Sequence, residues 1–86
     1  MFVVELAFDS NPARLELRPA HREKLKVLRD KGIVRMAGPF ADESGALLIF
    51  DVPDEKTLEQ VMDDDPYYRA PGVRIVRCKE WTAIAG

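Results

Sequence analysis

The chain has 86 residues, with 13 basic and 15 acidic side chains and a formal charge of -2, so it is sized for one small domain spanning residues 1–86. A core of that size only marginally offsets the loss of chain entropy, and a partner subunit would help. The near balance of charge, with no run that concentrates Lys or Arg along the sequence, argues against nucleic acid as a ligand.

The lone Cys78 cannot form an internal disulfide, and one cysteine with one histidine supplies too few ligands for a zinc site, so no metal is expected. A reduced, cytoplasmic setting fits this cysteine usage. Met1–Phe8 is apolar but short, lacks a basic leading region and carries Glu5, so it reads as a strand and not as a signal peptide. No apolar run approaches the ~18 residues of a membrane span, and no membrane association is expected.

In chain order, Phe2, Val4, Leu6 and Phe8 alternate as in a first strand. Asn11-Pro12 starts a short turn, with Asn as cap and Pro at the first helical position. Pro19 is read in the same way, as the opening of a helix that runs from Pro19 to Lys31 and closes at Gly32. Ile33–Ala37 and Ala46–Val52 are two strands of a hairpin joined through Gly38-Pro39 and the polar stretch Asp42–Gly45.

Pro53-Asp54-Glu55 puts acidic groups at the start of a second helix, whose apolar stripe is Leu58, Val61 and Met62. Asp65-Pro66 ends it, because a residue before proline is disfavoured from helical geometry. Val73–Trp81 forms a last strand whose imperfect alternation suggests a bulge. The order β-α-β-β-α-β is that of a ferredoxin-like α+β sandwich, with two helices on one face of a four-stranded antiparallel sheet.

Val3 and Ala7 on the first strand, with Leu47 and Ile49 on the third, point away from that helical layer. Inner strands that are apolar on both faces predict a homodimer whose sheets pack face to face.

His21 is the only histidine, and imidazole is the one side chain whose ordinary titration lies near neutrality. His21, Leu25 and Leu28 share one helical face, which turns the imidazole toward the sheet. Leu58, Met62 and Asp65 repeat that spacing, so a carboxylate continues the inward stripe of the second helix and needs a partner there. The two helices run antiparallel in this topology, which brings the start of the first and the finish of the second to the same end of the sheet. The Gly38-Pro39 turn and the Ala70-Pro71-Gly72 loop collect at that end. His21 and Asp65 are therefore a candidate catalytic dyad, in which the carboxylate orients the imidazole.

Each of these residues also has a purely structural reading. His21 can be a first-turn histidine packing on the sheet, and Asp63–Asp65 a solvated helix end. Arg18 can be a surface charge, and Gly38-Pro39 simple turn chemistry. Tyr67 and Tyr68 can be rim packing, and Trp81 a core or dimer contact. Cys78 has no companion base, which argues against a nucleophile.

Arg18-Pro19-Ala20-His21, Ala37-Gly38-Pro39, the glycine-led strand from Gly45, Asp65-Pro66-Tyr67 and Gly72-Val73, in that order, resemble the signatures of the YCII-related, or YciI-like, family. The resemblance spans nearly the whole chain and implies a dimeric ferredoxin-like α/β barrel with a histidine and aspartate site, which falls on His21 and Asp65. It also implies a link to the breakdown of small cyclic or aromatic compounds, including dehydrochlorination in some members. Against the family pattern, Tyr68–Gly72 is one residue longer, and the Phe40–Gly45 connection is short.

The leading reading is a cofactor-free enzyme using His21 and Asp65 for elimination or isomerisation of a small cyclic compound, with Arg18, Gly38, Pro39 and Tyr67 as substrate-binding candidates. The alternative is a non-catalytic small-molecule binding or accessory protein of the same fold. RNA binding fares poorly, because Gly45–Phe50 lacks the basic residue and exposed aromatics of an RNA-recognition strand.

Overall fold

Alternation along the first strand decides where the core lies. In the computed structural model, which describes Met1–Gly86, Phe2, Val4 and Leu6 of β1 (Phe2–Phe8) are almost wholly buried, while Val3, Glu5 and Ala7 face the other way. β3 (Gly45–Phe50) pairs antiparallel with β1 so that Phe50 lies opposite Phe2 and Leu48 opposite Val4, which places their large side chains on the same face. Burying side chains of this size is worth roughly 1.5–3 kcal/mol each and makes this register the energetic centre of the fold.

β2 (Val34–Pro39) and β4 (Val73–Glu80) flank that pair, giving the antiparallel order β2-β3-β1-β4. The helices α1 (Ala13–Asp30) and α2 (Glu55–Asp63) each connect strands separated by one neighbour, which makes a small α+β fold compatible with the ferredoxin-like sandwich. A short 3-10 helix, Pro66–Arg69, follows α2. No helix is long and apolar enough to cross a membrane.

The expected bulge in β4 lies at Val76: Arg77 stands opposite Glu5 and Ile75 opposite Leu6, which leaves one residue unmatched. Gly45 opens β3 because a Cβ there would overlap the Leu6 carbonyl of β1. Gly72, at φ +87°, lies so close to Asp9 and Asn11 that any side chain would collide with them, and its carbonyl accepts from the Asp9 N–H at 3.0 Å. It ties the start of β4 to the end of β1.

The first helix departs from its expected start. It runs from Ala13, not Pro19, so the Asn11-Pro12 turn and the later helix are one element of 18 residues. Pro12, not Asn11, is the N-cap residue, and Asn11 Oδ1 accepts from the Ala13 N–H at 2.9 Å in the turn that leads into the helix. Pro19 cannot donate to the Leu15 carbonyl, yet its ring lies on the solvent side, where water can satisfy that oxygen. His21 is accordingly a mid-helix residue rather than a first-turn one.

The two helices pack unequally. Leu58 and Met62 of α2 are buried in the core, and Asp54 caps that helix by accepting from the Thr57 N–H at 2.8 Å. The only fully buried residue of α1 is His21, with Leu17, Leu25 and Leu28 partly buried around it. On the uncovered face of the sheet, Val3, Ala7 and Ile49 are half-buried and Leu47 is exposed. Glu5 crosses that apolar patch to Arg77 at 2.9 Å.

Candidate active site

The site begins with the dipeptide Asp65-Pro66. Proline holds the preceding residue in extended geometry, and Asp65 has φ -125° and ψ 110°, so the chain leaves α2 there. The same geometry makes Asp65 the cap of the 3-10 helix, where its Oδ1 accepts from the Tyr67 N–H at 3.0 Å. Its other oxygen, Oδ2, lies 2.6 Å from His21 Nδ1. His21 and Asp65 are only 7% and 5% exposed, so the carboxylate is buried with both oxygens occupied.

This arrangement sets the imidazole tautomer. A carboxylate accepts hydrogen bonds, so the neutral ring carries its hydrogen on Nδ1 and its lone pair on Nε2. The Tyr67 ring stacks on His21 at 3.9 Å and 6°, and the Tyr68 ring stands perpendicular to it at 5.4 Å and 89°. The two tyrosine rings and Asp65 together pack the imidazole in this orientation. Nε2 has no hydrogen-bond partner in the chain, and it is not among the buried polar atoms that lack one, so it remains accessible.

The neighbouring aspartates show why Asp65 is different. Three carboxylates at a helix C-terminus face the negative end of the dipole, and each one here has a cation or imidazole beside it. Asp63 lies near Arg69 and Asp64 near Lys24, and Lys24 also donates to the Asp64 carbonyl. The side chains of Asp63 and Asp64 are 81% and 79% exposed, against 7% for Asp65. Only the third is both buried and joined to the imidazole.

His21 lines a cavity of about 470 Å³ between α1 and β2, and Asp65 lies behind it, away from the cavity wall. Phe8, Leu25, Val34 and Leu48 form its apolar surface. Arg18, Gly38, Pro39 and Tyr67 also line it, so every sequence-derived site residue except Asp65 reaches the cavity. The volume is within the range of small-molecule pockets. With its hydrogen on Nδ1, the ring has on Nε2 a lone pair able to accept a proton.

Arg14 and Arg22 also line the cavity, and a reading that starts the helix at Pro19 misses the first of them. Continued through Pro19, Arg14, Arg18 and Arg22 recur every four residues along one side of α1, and that spacing is the signal that finds them. The short β2–β3 connection contributes Glu43 to the lining, at φ 58°. Tyr68 is a support for the imidazole, and burial followed by the nearby Asp65 charge pushes its phenol well above the usual tyrosine range.

Cys78 lies outside the cavity, with its thiol pushed up by partial burial and then by Glu55 and Glu59, which makes it a poorer nucleophile. Trp81 is half-exposed beside the sheet, its backbone N–H donating to the Met1 carbonyl at 2.7 Å. No three His, Cys, Asp or Glu side chains are grouped to hold a metal ion.

Fold and site together define a small α+β domain with an oriented histidine at the wall of a cavity that is lined by both apolar and basic side chains. The chain belongs to the YCII-related domain family, whose sequence model matches residues 1–82. Among curated proteins, none matches it in sequence.

Proposed function

We propose that the protein is a cofactor-free enzyme in which His21 Nε2 is the general acid/base and Asp65 its positioning carboxylate. The observation that carries this reading is the 2.6 Å contact of Nδ1 with a buried carboxylate while the opposite nitrogen is left free at a cavity. The substrate is a small cyclic or aromatic-derived compound held against Leu25 and Leu48, with Arg18, Gly38, Pro39 and Tyr67 around it. In elimination, Nε2 accepts a proton from a ring carbon, the C–H electron pair becomes the new π bond, and the leaving group departs with its own pair. In isomerisation, the same nitrogen returns the proton at another carbon.

The reading includes a homodimer in a reduced cytoplasm, as a dimeric α/β barrel. The two open sheet faces pack together, covering Val3, Ala7, Leu47 and Ile49, with the Glu5–Arg77 pair available for cross-subunit contacts. Sedimentation should give a dimer at micromolar concentration, and a stable monomer would remove this part of the proposal.

The central test follows deuterium uptake from heavy water at ring carbons, across a panel of halogenated and unsaturated cyclic compounds. Turnover should fall by roughly 10²–10⁴ in His21→Ala and sharply in Asp65→Asn, with the fold retained by circular dichroism. Full activity in either variant would sink the dyad. A compound that is retained unconverted by the native chain would instead mark a binding protein.

A further inference from the structure

We propose that the cavity beside His21 selects a small cyclic carboxylate, whose anionic end is held by Arg14 and Arg18 with Arg22 at the rim. This rests on the reading above and names the class of its substrate. The chain as a whole is slightly acidic, yet its main cavity is lined by Arg14, Arg18, Arg22, Lys26, Arg29 and Arg35, with Glu43 as the one acidic residue in the wall. Helix α1 supplies five of these six cations by repeating them along its cavity side, and Arg35 comes from β2.

The pairing of these cations separates them into two groups. Lys26 lies 3.1 Å from Glu23, Arg29 3.3 Å from Asp30, and Arg35 3.1 Å from Asp51. Arg14, Arg18 and Arg22 have no carboxylate within ion-pairing distance, although Arg14 and Arg18 are half-buried. The Arg14 guanidinium carbon lies 4.0 Å above the Phe8 ring, and its buried Nε has no hydrogen-bond partner. Half-buried guanidinium groups with free donors beside a cavity are suited to planar, bidentate recognition of a carboxylate.

The helix also sets the reach of the ligand. Arg18 precedes His21 by three residues and Arg14 by seven, a rise of about 4.5 Å and about 10.5 Å. A ring placed on Leu25 and Leu48 can therefore present a carboxylate to the arginines and a ring carbon to Nε2. That apolar wall favours a hydrocarbon body over a bare oxyanion such as inorganic phosphate.

The test is calorimetric binding of benzoate, with neutral benzamide and inorganic phosphate as comparators. Benzoate should bind at least roughly tenfold more tightly than either, and Arg14→Gln and Arg18→Gln should each weaken it about tenfold while leaving benzamide unchanged. Added sodium chloride should weaken benzoate and spare benzamide in the native chain, which gives a readout independent of variant folding. Absence of saturable benzoate binding, equal binding of benzamide or phosphate, or unchanged affinity in both arginine variants each overturns the proposal. Binding is measured without turnover in the native chain and in His21→Gln. A failed dyad therefore leaves the benzoate result standing, and a failed benzoate result leaves the deuterium-exchange test of His21 untouched.

Discussion

The half of the helical layer built by α2 and the 3-10 helix is closed, while the half between α1 and β2 is open. In the closed half, Leu58, Met62, Tyr67 and Tyr68 are buried and the carboxylates of Asp63, Asp64 and Asp65 each have a partner. In the open half, an apolar wall faces a cavity and three arginines have no carboxylate beside them. The closed half holds the imidazole against Asp65, and the open half leaves it at a cavity wall. Tight packing and open surface are thus divided between neighbouring elements, with His21 at the boundary.

Truncation should separate the two halves most strongly at Asp65 and Arg18. Asp65→Ala removes the partner of His21 and the cap of the 3-10 helix together, and leaves the Tyr67 N–H without its acceptor. A loss of about 3 kcal/mol in urea unfolding is expected, in line with breaking a buried pair. Arg18→Ala should stay within about 0.5 kcal/mol, because its charge has no partner in the chain to lose. Equal losses in the two variants would erase the distinction.

Glycines give a second, smaller contrast. A Cβ at Gly45 would overlap the Leu6 carbonyl in the closed sheet, whereas a Cβ at Gly38 on the cavity wall meets nothing within 4 Å. Gly45→Ala should cost about 2 kcal/mol through overpacking. Gly38→Ala should be neutral, or stabilise by roughly 0.4–1 kcal/mol through a less flexible unfolded chain. Thermal unfolding of the pair checks both, and a strongly destabilised Gly38→Ala would mean that the cavity wall is tighter than its geometry shows.

The closed half is the more legible of the two from sequence. Alternation in Phe2–Phe8, the stripe Leu58–Met62–Asp65 and the antiparallel helices suffice to bring His21 and Asp65 together, because periodicity and chain direction are properties of the whole element. The open half is obscured by one proline. Pro19 is a sound local signal for a helix start, but the Asn11 Oδ1 to Ala13 N–H bond already turns the chain into the helix upstream and the Pro19 ring is free in solvent, so the helix continues through it. That single shift of boundary separates Arg14 from Arg18 and Arg22 and hides the cationic stripe. The 3-10 helix is obscured for a related reason: Asp65-Pro66 reads as an ending, and the same cap and proline also begin an element that carries Tyr67 and Tyr68 into the core.

The smallest effect at neutral pH concerns Tyr68, and it reports on how dry the closed half is. Burial is the main cause that holds its phenol neutral, with the negative charge of Asp65 next and Tyr67 after it. In the unfolded chain the same phenol ionises near its ordinary value of 10.0. Below that pH the group is neutral in both states, so its contribution to stability is constant; above it the unfolded chain loses a proton that the folded chain retains, and stability falls as pH rises. Denaturant unfolding measured from neutral pH into the alkaline range should show this decline, and Tyr68→Phe should flatten it, since phenylalanine keeps the edge contact with His21 and has no proton to lose. An unchanged alkaline slope in Tyr68→Phe would mean that water reaches the phenol, and that the wall behind His21 is open on that side as well.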